Sequence, residues 1–210
     1  IQGIGVAEFV NRSQIDKHVE KVRAEGFPDY AIRPSGDSEI HAPVIYLEPS
    51  NYRNLRALGY DLLSEPIRRT TVEKARDTGK PQITGKVKLV QETEKDVQPG
   101  FLMYVPIYRH GDTFSVVRDD QTEPFGNVNS PFRMRDFIEG LFGKSLQDIG
   151  LKIYDGDDTS EKSLMYESLD DGKKSSHENE KLFTQKKVID LYGHQWTLVV
   201  TKLASPEVFY

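Results

Sequence analysis

The sequence predicts an α+β protein, two small antiparallel-sheet units joined by a helix. Three observations carry that reading. Residues 83–91 and 101–108 form a strand pair around a charged turn, which is an antiparallel hairpin with a long loop. The last third of the chain reads as four strands with no long helix among them. Between these regions lies one apolar helix, and 210 residues suit one large domain or two small ones.

The elements follow in order. Ile4, Val6, Phe9 and Val10 read as a strand. Ser13–Glu25 reads as a helix with Ile15, Val19 and Val22 on one stripe, Asn11 or Ser13 as cap, and Gly26 and Pro28 as its end. Tyr30–Ile32 is a short expected strand, residues 34–39 a polar loop, and Pro43–Leu47 another strand. Helices are expected over Ser50–Asp61 and Ser64–Thr78, the second stopped by Gly79-Lys80-Pro81. Ile83–Gln91, with Val87, Leu89 and Gln91 on one face, then pairs with Phe101–Tyr108, and Phe114–Val117 follows.

Residues 119–131 are polar and carry Pro124, Gly126 and Pro131, so they read as a linker. Met134–Phe142 reads as a helix with Phe137, Ile138, Leu141 and Phe142 on one face. Strands are expected at Leu151–Tyr154, Leu164–Tyr166, Leu182–Leu191 and Trp196–Leu203, with a polar loop over residues 170–181. The expected division is residues 1–118, a linker and connecting helix over 119–147, and a second unit over 148–210.

Composition bounds the function. With 37% hydrophobic residues the chain can build real cores, and 29% charged residues is ordinary for a surface. A net charge of -5 spread over both halves argues against nucleic acid as a partner. The absence of cysteine excludes disulfides, zinc-thiolate sites and a cysteine nucleophile. No apolar run approaches the ~20 residues of a membrane span. Ile1–Gly5 begins inside a strand-like pattern without an initiator Met, so a piece trimmed from a longer protein is expected.

Six segments occur in a specific order: Val44–Pro49, Ala57–Asp61, Glu65–Arg69, Ala75–Gly79, Gly85–Glu92 and Gly100–Tyr108. Together they strongly resemble the CHASE domain, the extracytoplasmic sensory module of membrane histidine kinases and nucleotide or diguanylate cyclases. The resemblance implies two PAS-like units joined by a helix, with the ligand in the first, membrane-distal one. It also implies an N-terminal stalk helix, missing here, through which the membrane-anchored protein dimerises. The location it implies is the periplasmic or extracellular face of the cell membrane, with a kinase or cyclase as output.

The same resemblance assigns candidate site residues. In plant cytokinin receptors, which are CHASE proteins, a helix aspartate bonds the adenine-like ring, and its position falls on Arg68. A guanidinium donates but does not accept, so it suits a carboxylate or phosphate, and a small organic anion is the expected ligand. The receptors' pocket threonine falls on Tyr104, a larger side chain that shortens the cavity. Thr84 and Val90 fall on the first pocket strand, Val90 reading equally as core. Tyr60 and Tyr104 read either as pocket lining or as core tyrosines with one satisfied hydroxyl. Arg68 has a structural alternative, an ion pair with Asp61, Glu65 or Asp77, and Asp61 is itself a pocket candidate.

Other chemistries find little support. Asp155-Gly156-Asp157-Asp158 hints at a calcium loop but lacks the terminal glutamate, Tyr166 standing there, so a strand-ending turn is the better reading. The five histidines are scattered, and neither a metal site nor a cofactor is expected. No nucleophile elbow or phosphate loop occurs, so the domain is expected to be a sensor and not an enzyme. The competing class is a protein-interaction or relay module without a small-molecule ligand, which would show an exposed apolar patch and a filled cavity.

Overall fold

The computed structural model describes residues 2–93, 96–111, 113–117, 122, 124–146, 149–168 and 181–203. The expected polar loop over residues 170–181 therefore lies almost wholly outside the described residues.

The strands of the first sheet are β1 (Ile4–Glu8), β4 (Val44–Glu48), β5 (Gln82–Ile83), β6 (Gly100–His110), β7 (Thr113–Ser115) and β8 (Pro124–Arg133). They pair in the order β4-β1-β8-β6-β5, with β7 on β6, and every pairing is antiparallel. A second sheet has the order β10-β9-β12-β11, from β9 (Ile149–Asp155), β10 (Leu164–Glu167), β11 (Lys181–Leu191) and β12 (His194–Leu203). Two short strands, β2 (Val10–Asn11) and β3 (Ile40–His41), pair with each other. The α+β class with antiparallel sheets is as expected.

Among the described residues four α-helices complete the fold: α1 (Ile15–Ala24), α2 (Tyr52–Leu55), α3 (Pro66–Thr78) and α4 (Met134–Phe142). Helix α1 follows a 3₁₀ turn at Arg12–Gln14, and neither Asn11 nor Gln14 caps it with its side chain. It buries His18 and Val22, so the expected stripe is shifted towards a histidine that bonds Tyr30. Helix α2 is a single turn capped by Asn51, much shorter than the expected Ser50–Asp61. Helix α3 shows the reverse: every local signal agrees with it. Glu65 accepts from the N–H groups of Ile67 and Arg68, Pro66 opens the first turn, and Gly79 closes it in the left-handed region.

The largest correction concerns residues 119–131, expected as a linker. Residues 124–133 form β8, a central strand bonded to β1 on one side and β6 on the other. Ladders on both edges satisfy its backbone, which overrides the weak strand propensity of Asn127, Asn129 and Pro131. The first sheet thus runs past residue 118 to Arg133, where α4 begins directly.

Three smaller expectations also change. Tyr30–Ile32 is not a strand; the residue after it, Arg33, makes an isolated bridge to Tyr60. Ile83–Gln91 is a strand only at its start, although Val87 still bridges Gly100 and Val87, Leu89 and Gln91 are all buried. The alternation survives without a continuous ladder because Lys86 and Lys88 spend backbone groups elsewhere. On α4 the buried residues are Met134 and Ile138, while Leu141 and Phe142 are largely exposed.

Two cores result. Ala7, Val44, Leu47, Val72, Ala75 and Leu102 pack between the first sheet and α3. Ile83, Phe101, Met134, Ile138, Ile153 and Trp196 form the second core, which therefore draws on both sheets and α4.

Candidate functional site

Side chains alternate faces along a strand, so Leu102, Tyr104 and Pro106 of β6 share a face with Asn127 and Asn129 of β8. Tyr104 stands opposite Gln82 on β5 and Asn129 on β8. Asn129 in turn faces Gly5, and Asn127 faces Ala7, on β1. This face is covered by α3, whose buried residues Arg68, Thr71, Val72 and Ala75 recur at helical spacing. Gly5 is required by closeness: a Cβ there would stand 2.8 Å from Asn129 Oδ1.

The sheet side of this packed interface, its floor, carries polar atoms without protein partners. The hydroxyls of Tyr104 and Tyr108, both amide atoms of Asn127, and Nδ2 of Asn129 are buried and make no hydrogen bond. Tyr104 and Tyr108 are 0% exposed, Asn127 1% and Asn129 3%. Folded proteins leave few such groups unpaired, because each costs about 1–3 kcal/mol. Burial pushes the Tyr104 phenol well above its ordinary pKa, against the opposing charge of Arg68, so the hydroxyl stays a neutral donor.

Arg68 lies at the roof, buried, with its guanidinium 5.5 Å from the centre of the Tyr60 ring. Its Nη1 donates to Glu65 Oε2 at 3.1 Å and its Nη2 to the Lys88 carbonyl at 2.7 Å. Of the three acids considered as partners, Glu65 is the one it takes here; the same oxygen also caps α3. Asp61 is committed elsewhere, to His41 Nδ1 at 2.8 Å and to the N–H groups of Ala42 and Leu63. Thr84 is fully buried on the floor and its hydroxyl accepts from the Leu102 N–H at 3.0 Å. Tyr60 and Val90 pack, partly buried, against the first core. Arg69, next to Arg68, is exposed and donates to the Leu63 carbonyl.

Of the residues singled out in the sequence, Arg68, Tyr60, Tyr104 and Thr84 all lie at the interface of α3 with the first sheet and its 84–92 segment, and the buried Asn127 and Asn129 of β8 were not among them. The available signal was the alternation of Asn127, Asn129 and Pro131 with Val128, Ser130 and Phe132, a period of two legible only if amides count as face-forming.

A second place of note is an open cleft of about 380 Å³ lined by Lys86, Val87, Lys88, Val97, Gln98 and Pro99. Beside it Arg133 bonds Glu92 at 2.7 Å, Asp136 at 2.8 Å and Asp96 at 3.0 Å, a network that ties Glu92 and Asp96 to the start of α4. The Asp155–Asp158 segment is a turn: Asp155 faces His194 and the Lys86 N–H, and Asp158 caps Ser160. Among the described residues no group of three or more His, Asp and Glu is arranged to hold a metal ion.

A family model for the CHASE domain matches residues 1–166, which include the whole first sheet, α3, α4 and the start of the second sheet. The chain belongs to the CHASE family. It is a sensory input domain of signalling proteins. The hybrid signal transduction histidine kinase A of Dictyostelium discoideum is 26% identical over 143 residues, covering 63% of this chain. The match covers 6% of that protein, so the chain corresponds to a small part of its relative. No helix among the described residues is long and apolar enough to cross a membrane.

Proposed function

We propose that this CHASE domain is the extracytoplasmic, ligand-sensing input of a transmembrane signalling protein, with a small molecule bound on the covered face of the first sheet. One observation carries the proposal: the CHASE family model matches residues 1–166, which hold the whole first sheet and the helix α3 that covers it.

In this reading the two sheets are PAS-like units, and the full-length protein is anchored in the membrane with this domain on its periplasmic or extracellular face. It acts as a homodimer through a stalk outside this chain. The histidine kinase relative supports a kinase output, and a cyclase is the alternative that the family allows. Ligand shifts the population between two packings of the first sheet, and the shared core with α4 and the second sheet carries that bias onwards. The domain itself does no chemistry.

Hydrogen–deuterium exchange against a panel of organic acids, purines and cyclic amides tests the proposal. Added protection in β6 and β8, with a smaller change in β9 and β12, is the expected result. Protection confined to residues 86–99 would place the site in the open cleft instead. Stabilisation by no compound of the panel would favour an interaction module without a ligand.

A further inference from the structure

We infer that the outer edge of β11 is a self-association surface, where two copies of this chain pair antiparallel around Val188 and join their second sheets. The inference does not depend on the ligand-binding reading. Strand β11 spans eleven residues and ends the order β10-β9-β12-β11, so among the described residues no strand pairs with its outer edge. Phe183 to Val188 are all exposed, on both faces of the sheet, with Val188 at 47%. A long strand in that position offers a regular row of N–H and C=O groups, which is a template for another strand.

Charge complementarity selects a second copy as the occupant. A two-fold axis normal to the sheet keeps every side chain on its own face, so a self-paired register must centre on one residue. Centred on Lys186 or Lys187, two lysines stand directly opposite each other, which is destabilising. Centred on Gln185 or Ile189, no acid meets a lysine. Centred on Val188, the valines meet, and Lys186 opposes Asp190 of the second copy, twice by symmetry. Lys187 then opposes Ile189 and Gln185 opposes Leu191, so pairing runs from Gln185 to Leu191. Both charges are open to a partner. Lys186 Nζ reaches the Asp157 carbonyl only at 3.5 Å, and exposed Asp190 accepts from the Gly193 N–H at 3.2 Å through Oδ1. The two lysines thus reject the registers that stack them and favour the one that supplies an acid.

The test uses single cysteines and charge swaps. The chain has no cysteine of its own, so an introduced one reports the pairing alone. Opposed residues of an antiparallel pair have Cα atoms ~4.5–5.5 Å apart, within the range a disulfide spans. Val188→Cys is expected to give a disulfide-linked dimer on mild oxidation. Thr184→Cys, exposed on the same face of the same strand, is expected not to link, since its two copies would lie roughly 27 Å apart. In sedimentation equilibrium the mass of the wild-type chain should rise with concentration. Lys186→Glu should weaken association about tenfold, and the Lys186→Glu, Asp190→Lys swap should restore it.

A wild-type chain that stays monomeric up to millimolar concentration overturns the inference and leaves the edge to a strand of another protein. Association that Lys186→Glu leaves unchanged overturns it as well, as does Thr184→Cys linking as readily as Val188→Cys. A swapped variant that folds with the wild-type circular dichroism spectrum yet stays as weak as Lys186→Glu also counts against the pairing. None of these outcomes bears on the ligand-binding proposal, which the exchange experiment tests separately.

Discussion

The indole of Trp196 meets the ring of Phe101 edge-on, with centroids 5.0 Å apart and planes at 78°. Phe101 lies on β6 and Trp196 on β12, so this contact joins the two sheets. Phe101 also stacks on Phe132 of β8 and meets Phe137 of α4 edge-on, so strand, strand and helix share one aromatic cluster. Phe101 and Tyr104 sit on opposite faces of one strand. A displacement of Tyr104 would therefore act on the strand that holds the second sheet.

A polar link reinforces the aromatic one. Asp155 Oδ2 accepts from the Lys86 N–H at 2.9 Å, while Oδ1 lies 2.6 Å from His194 Nε2. The Lys86 ammonium donates to the carbonyls of Lys162 and Leu164, both at 2.8 Å. Gly85 permits this approach, because a Cβ there would stand 2.8 Å from the Asp155 carboxylate. Asp155→Ala is expected to cost about 2 kcal/mol, roughly 4–8 °C of Tm, and to loosen amide protection at residues 84–88. An unchanged Tm and exchange pattern would remove Asp155 from the link.

The same residue sets an acid limit. Burial alone would raise the Asp155 pKa, but the hydrogen bonds from His194 and the Lys86 N–H outweigh it and hold the carboxyl below its ordinary value. A lowered folded-state pKa contributes stability above the unfolded aspartate value of about 3.9, and that stability is lost as pH falls through the folded value. The Tm difference between the wild type and Asp155→Asn should therefore hold from neutral pH to about pH 5 and close below about pH 4. A difference that widens on acidification would refute the assignment.

Much of this architecture was legible in the residues, and the parts that were not have physical causes. Helix α3 was readable because cap, stripe and stop all agree along thirteen residues. Strands β9 to β12 were readable because apolar alternation and turn residues coincide. Strand β8 was not, since its covered face carries Asn127, Asn129 and Pro131, residues whose local chemistry favours turns. Its strand state is imposed by two neighbours far away in the chain. The burial of Arg68 and Tyr104 was foreshadowed by a resemblance, whereas the burial of Asn127 and Asn129 was hidden for the same reason that the strand was.

Arg68 and Arg69 are adjacent but should behave differently. Arg68→Ala strands the Glu65 carboxylate and leaves the Lys88 carbonyl without its donor, so a loss of about 2 kcal/mol is expected, with Glu65 partly screened by solvent. Arg69→Ala removes one bond to the Leu63 carbonyl from an exposed side chain and should cost under about 1 kcal/mol. Urea denaturation of the two variants separates them. Equal losses would show that the buried pairing does not hold α3.

Tyr104→Phe deletes a buried hydroxyl that has no partner in the protein. The stability should be unchanged or higher by up to about 1 kcal/mol. A loss of stability near 2 kcal/mol would mean that the hydroxyl is already satisfied without ligand, and would weaken the case for the covered face as a site.

The most direct measurement uses the single tryptophan of the chain, Trp196, which lies in the second core against Phe101. Its emission is followed while compounds of the exchange panel are titrated into the wild type and Asp155→Ala. The account expects a saturable change in the wild type, and binding with a reduced change in Asp155→Ala. Thermal stabilisation by a compound that leaves Trp196 unaffected would contradict it.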